Sequence, residues 1–390
     1  MSAASTLLLG AVLTFAESDG RTLALTVALT QPATVSLDWA GAVRTATIPA
    51  SRHRFTALPS PREVPLDYTL AIAGEAPVGY SVKPLFGEGP LRVALYGDSR
   101  DGPGPHQELV AAIAAADPHL VVHTGDVVHS ALDEEGWVRH LATSLPLTAR
   151  VPTILALGNH ELWQPRDLPA EQRVDALAQV MRFLPPPADP SPREGVPASV
   201  HAVRVGPALF VALDSNVALG AGSPQLAWLE ARLSAEAPRA FTFLALHHGP
   251  RSSGPHGGHP EGDELVALAK RHGVTAILAG HDHTYERVVE GSVTCVVSGG
   301  GGAPLYPRTR PVAGSQAFAS TYNWVLLTLE GERGTLEARS LEGVVLDRGA
   351  LPASEVAPRV EAGRNLVALG LLLGALTFAL FRGLRARRRG

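Results

Sequence analysis

Five short stretches of this chain carry side chains of the types that can hold metal ions. Gly280-His281-Asp282-His283-Thr284-Tyr285-Glu286-Arg287 sets two imidazoles one residue apart. In a bent turn such a pair can point at two neighbouring ions, whereas in a straight strand both would share one face and one target. Upstream lie Tyr96-Gly97-Asp98-Ser99-Arg100, Thr124-Gly125-Asp126-Val127-Val128-His129, Gly158-Asn159-His160-Glu161 and His247-His248-Gly249-Pro250. Two carboxylates, a carboxamide and several histidines make an oxygen/nitrogen ligand set that divalent first-row metals accept. A carboxylate shared between two cations about 3.5–4 Å apart offsets their repulsion, and Asp126 is the candidate for it. Such a centre would bring a bound water's pKa near neutrality and neutralise charge growing on a phosphoryl group. His160, beside Asn159, would then be placed to protonate a leaving group or to hydrogen-bond phosphoryl oxygens. The plainer alternative for these Asp and Asn residues is turn formation and helix capping.

Each stretch follows an apolar run of strand character, at 92–96, 120–123, 152–157, 241–246 and 275–279. Such turns at strand carboxyl ends share one rim in open α/β sheets, so residues distant in sequence converge there. Between the runs, 106–116, 170–183, 224–230 and 261–271 read as helices, the third opened by Pro224. Strand-like segments at 200–205 and 208–213 precede the last turns, and 292–298, 322–329 and 335–340 follow them. This alternation predicts an α/β catalytic domain over 91–348. Ahead of it, β-rich runs at 22–29, 33–39, 42–48, 53–58 and 66–72 predict a small antiparallel β-sandwich over 21–88. Residues 1–20 read either as a signal segment or as a first strand, and both readings stay open.

Composition narrows the partners. With 33 basic and 37 acidic residues the net charge is -4, which gives no electrostatic case for a nucleic-acid partner. The single cysteine, Cys295, excludes an intramolecular disulfide and a Cys-rich zinc site. Residues 366–381 are apolar and are followed by Arg382, Arg385, Arg387, Arg388 and Arg389. They predict a transmembrane anchor over 365–382, a linker at 349–364 and a basic tail at 383–390. Arginines beside a span tend to stay cytoplasmic. The expected location is therefore the cell envelope, membrane-anchored, with the catalytic domain outside the cytoplasm.

Gly97-Asp98, Gly125-Asp126, Gly158-Asn159-His160-Glu161, His247-His248 and Gly280-His281-Asp282-His283 resemble the five ordered motifs of calcineurin-like metallophosphoesterases. Thr284-Tyr285-Glu286-Arg287 and Gln225-Leu226-Ala227-Trp228-Leu229-Glu230 are similar to the purple acid phosphatase branch, as is a sandwich ahead of the catalytic domain. The resemblance implies a four-layer metallophosphoesterase β-sandwich flanked by helices, with the small all-β domain before it and the transmembrane helix after it. It implies one metal on Asp98, Asp126 and His283, and another on Asp126, Asn159, His247 and His281. The chain departs from the family at Arg100, where many members have a histidine, and at His129, where the purple branch has tyrosine. His129 is inferred to supply the first metal's missing ligand, with Zn, Mn or Fe as the ions. The implied reaction is hydrolysis of a phosphorylated small molecule by a metal-bound hydroxide. His160 and His256 take catalytic roles in that reading, and Arg100 and His248 contact substrate. Phosphodiesterase or nucleotide pyrophosphatase activity is an alternative, and a non-catalytic metal-binding envelope protein is another.

Overall fold

The computed structural model describes residues 7–48, 52–100, 103–164, 166–189, 191, 193–235 and 239–354. Two antiparallel sheets come first. Leu8–Phe15, Thr22–Leu29 and Arg52–Pro59 form a three-stranded sheet, and Ala42–Ile48, Ala33–Trp39, Leu66–Ile72 and Val78–Val82 a four-stranded one. Leu8–Phe15, open at the sequence level between signal segment and strand, is thus an edge strand paired with Thr22–Leu29.

Two larger mixed sheets carry the candidate site. In the first, Thr153–Leu155, Leu120–His123 and Leu91–Tyr96 run parallel, and Asn323–Glu330, Arg333–Ser340 and Val345–Leu351 continue it antiparallel. The second has the order His201–Val205, Ala208–Ala212, Phe241–Ala245, Ala276–Ala279, Val293–Ser298, Tyr285–Glu290 and Ser315–Ala319. Its Ala208–Ala212, Phe241–Ala245, Ala276–Ala279 and Val293–Ser298 strands are parallel. They read as near-continuous apolar runs because both faces are buried. Leu95 and Val325 from the first sheet share one core with Phe243 and Leu278 from the second, and with Leu13, Leu25 and Val35 from the N-terminal strands. Helices cover the outer faces. Pro103–Ala115 packs Leu109 and Ile113 on the first sheet, while Pro224–Ala235 and Gly262–Arg271 pack Leu229 and Leu265 on the second.

The two sheets are tied together at the strand that leaves the last motif. Arg287 donates from Nε and Nη2 to the two carboxylate oxygens of Asp347, at 2.6 and 3.0 Å, and the Tyr285 hydroxyl donates to Oδ2 at 2.7 Å. Helix Glu134–Thr148 is not anticipated from the sequence, because Pro146 sits inside it and no side chain caps its start.

The expected fold class and location require correction. Among the described residues no helix is long and apolar enough to cross a membrane. The segment 365–382 that suggested an anchor, and the basic tail 383–390, lie outside the described residues. Sixteen apolar residues fall short of the roughly 20 that span a bilayer. The architecture is an α/β fold of mixed sheets with flanking helices. The described residues thus supply no transmembrane helix, and the expected membrane partner and cell-envelope location find no support in them.

Candidate metal centre

Five strand ends deliver the site, three from the first large sheet and two from the second. Leu91–Tyr96 leads to Asp98, Leu120–His123 to Asp126, Thr153–Leu155 to Asn159, Phe241–Ala245 to His247, and Ala276–Ala279 to His281 and His283. Asp98, Asp126 and His281 adopt left-handed backbone conformations, with φ of 61°, 56° and 70°. Non-glycine residues rarely hold that conformation, and strain of this kind concentrates at functional sites. Hydrogen bonds between the turns enforce it. Asp98 and Ser99 donate their N–H groups to the carbonyls of Gly125 and Asp126, each at 3.0 Å. The His281 N–H donates to Asp98 Oδ2 and the His160 N–H to Asp126 Oδ1, both at 2.9 Å. The neighbouring glycines leave room for these carboxylates: a Cβ on Gly158 would strike Asp126 Oδ1, and one on Gly280 would strike Asp98 Oδ2.

His247 shows what the turns enclose. Its Nδ1 lies 2.8 Å from the Thr124 carbonyl, which can only accept, so Nδ1 carries the proton and Nε2 keeps a lone pair. That lone pair faces Asn159 Oδ1 at 3.0 Å, Asp126 Oδ1 at 3.4 Å and Asp98 Oδ1 at 4.0 Å, with His281 Nδ1 at 3.2 Å. Acceptors crowding acceptors in a buried site call for a cation among them. Asp98 Oδ1 is buried and has no hydrogen-bond partner. Burial, and then the charge of Asp126, push the Asp98 carboxyl well above the usual carboxylate range. Burial drives His247 and His281 far below the ordinary imidazole value, and takes His248 and His283 down to about 4. Carboxylates short of positive charge and imidazoles kept neutral with free lone pairs are the chemistry of a metal site.

Among the described residues, two groups bring their ligand atoms within 4.8 Å of one another: Asp98, Asp126 and His247, and His247, His248 and His281. Two His/Asp clusters sharing one histidine fit a dinuclear divalent-metal site. The family model for calcineurin-like phosphoesterase matches residues 91–285, half of the chain's 390. The chain belongs to the calcineurin-like phosphoesterases.

Within this family, the chain is 29% identical over 160 residues to purple acid phosphatase 23 of Arabidopsis thaliana, covering 40% of this chain and 32% of that protein. It therefore spans about a third of the length of this curated relative. A purple acid phosphatase, PPD1, isolated from yellow lupin (Lupinus luteus) seeds shares the fold with a TM-score of 0.73 at 18% identity, over 88% of this chain and 74% of the other. The structure of PhoD aligns with a TM-score of 0.66 at 13% identity, over 90% of each chain.

The remaining sequence candidates of this calcineurin-like phosphoesterase are placed as follows. His160 donates from Nδ1 to the His129 carbonyl at 3.0 Å, so in the neutral ring Nε2 is unprotonated, 3.9 Å from Asp126 Oδ2. Burial lowers its pKa. The His129 side chain is exposed, its ring centroid 4.8 Å from that of His160, and it joins neither cluster. Arg100 reaches inward, with Nη1 3.1 Å from His283 Nε2 and 3.7 Å from Asp126 Oδ2. His248 Nδ1 pairs with the Ser215 hydroxyl at 2.8 Å. His256 lies 2.9 Å from Asp282 Oδ1 through its Nδ1, its ring centroid 4.3 Å from that of His281.

Sequence reasoning overlooked two acids within the motifs themselves. Glu161 is fully buried and accepts backbone N–H groups from Asp126, Val127 and Gly158 at 3.0, 2.7 and 2.8 Å. Asp282, also buried, holds His256 and the hydroxyl of Ser252. Burial would raise the Asp282 carboxyl, but the hydrogen bonds from His256 and Ser252 outweigh it and hold the pKa below its ordinary value. Both acids stand beside candidate ligands in sequence, and that adjacency was the available signal. A cavity of about 450 Å³ opens beside the centre, lined by Ser99, Arg100, His129, Arg139 and His140 among others.

Proposed function

We propose that this chain hydrolyses phosphate esters of small molecules in a metal-dependent reaction of the purple-acid-phosphatase kind. The observation that supports the reading most is the His247 Nε2 lone pair, directed at Asn159 Oδ1 and Asp126 Oδ1 beside an unpartnered Asp98 Oδ1. In this reading Asp98, Asp126 and His283 would hold one ion, and Asp126, Asn159, His247 and His281 would hold the other. Two divalent ions bound there would supply Lewis acidity toward phosphoryl oxygens and lower the pKa of water.

The protein's own groups then divide the work. The hydrogen bond from His160 Nδ1 to the His129 carbonyl leaves Nε2 as the atom that carries a transferable proton, on the Asp126 side of the site. Burial lowers the pKa, so the resting ring is neutral and Nε2 takes up a proton before passing it to a leaving oxygen. Asp282 orients His256 from Nδ1, leaving Nε2 available to a phosphoryl oxygen. The Ser215 hydroxyl fixes His248 in the same manner. The cavity beside Arg139 and His140 is open to receive the esterifying group.

The test is turnover of a panel of aryl and alkyl phosphate monoesters and diesters by full-length protein loaded with Mn or Zn, with Asp126→Asn as control. Metal-dependent hydrolysis lost in the control is the expected result. Stoichiometric metal binding without turnover of any ester would overturn the hydrolytic reading in favour of a non-catalytic metal protein.

A further inference from the structure

We infer that Arg100 makes the two metal positions unequal: the ion beside His283 binds much more weakly than the ion beside His247 and exchanges with solvent. The inference rests on the metal-dependent reading above. His283 has two ring nitrogens, and Nδ1 is spent on the Pro304 carbonyl at 2.5 Å. Nε2 is therefore its one available ligand atom, and the Arg100 guanidinium donates to it at 3.1 Å. Tyr306 stacks on the ring with centroids 4.1 Å apart and planes 14° from parallel, so the imidazole cannot turn away to serve both partners. Nη1 of the same guanidinium stands 3.7 Å from Asp126 Oδ2, and the Arg100 side chain is only 8% exposed.

An ion held by Asp98, Asp126 and His283 would have to displace the Arg100–His283 hydrogen bond. It must then remain a few ångströms from a cation that does not lose its proton. The surroundings of His247 Nε2 are different: a carboxamide, a carboxylate and a neutral imidazole meet it. The two clusters of mutually close ligand atoms both include His247, and His283 belongs to neither among the described residues. Arg100 thereby supplies standing positive charge to the buried Asp98–Asp126 pair on one side, while the other side depends on metal.

The experiment is Zn or Mn titration of chelator-stripped full-length protein by calorimetry, with metal content counted after gel filtration. Wild type should retain one ion and bind a second with a Kd weaker by roughly 30-fold or more, as a like charge at this range requires. Arg100→Ala and Arg100→Gln should tighten the weak ion by about tenfold or more and leave the tight one within about threefold, while Arg100→Lys should keep it weak. Two ions of matched affinity in wild type, or an unchanged ratio in both neutral variants, would overturn the inference. Failure of wild type to bind either metal would instead sink the metal-dependent reading on which it rests.

Discussion

Glu161 accepts the backbone N–H of Asp126 at 3.0 Å, and through the N–H groups of Val127 and Gly158 it joins the turn that bears Asp126 to the turn that bears Asn159. Burial, then the charge of Asp126, raise the Glu161 carboxyl above the usual range, and those N–H donors pull it back. The residue acts through the positions of its neighbours. Glu161→Ala leaves buried N–H groups without acceptors and should cost about 1–3 kcal/mol of stability in denaturant unfolding. Metal retention should fall about 10–100-fold, the usual effect of losing a group that orients ligands.

His247→Ala removes the residue common to both clusters. It should abolish retention of the tightly held ion and reduce turnover by more than about 100-fold, beyond the effect of an orienting group. A chelator should reproduce the loss in wild type, and added Zn or Mn should reverse it there and not in the variant. Near-normal metal content in His247→Ala would contradict the assignment.

His160→Gln separates acid catalysis from binding. On an alkyl phosphate, whose leaving oxygen needs a proton, kcat should fall about 10²–10⁴-fold. On an aryl phosphate with an acidic phenol the loss should be far smaller. Equal losses on the two substrates would assign His160 to phosphoryl contact instead.

The Asp347 clamp on Arg287 and Tyr285 has a signature in stability. Burial alone would raise the Asp347 carboxyl, but hydrogen bonds from Arg287 and then Tyr285 outweigh burial and hold it below its ordinary value. A depressed folded pKa contributes stability that is present above the unfolded value of about 3.9 and is lost as pH falls through the folded one. Asp347→Asn should therefore lower stability, on the order of 1 kcal/mol, at neutral pH. The gap from wild type should stay level from pH 7 to about 5 and shrink below about 4. A gap that persists undiminished at pH 3 would show that the clamp contributes through packing and not through charge.

Much of the site was legible because it is written locally. An apolar run followed by a Gly-Asp, Gly-Asn-His or Gly-His-Asp-His turn specifies both a strand end and the ligands placed there, and 92–96 and 120–123 meet the observed strands within a residue. The helix Glu134–Thr148 was hidden by Pro146, and the 365–382 segment could be judged only by hydropathy.

The sequence alone determined the candidate ligand types, their order and their place at strand carboxyl ends, because those depend on contacts a few residues long. Tertiary structure decided that two facing sheets, not one, contribute the rim, and which lone pairs remain for a metal. Arg100 and His283 are 183 residues apart, and their hydrogen bond exists because Pro304 has already taken the other nitrogen of His283. His129 likewise has a ligand's chemistry; it is exposed, its ring 4.8 Å from that of His160, and among the described residues it belongs to neither cluster. A residue type states what a side chain can bind; only the packed molecule states what it has already bound.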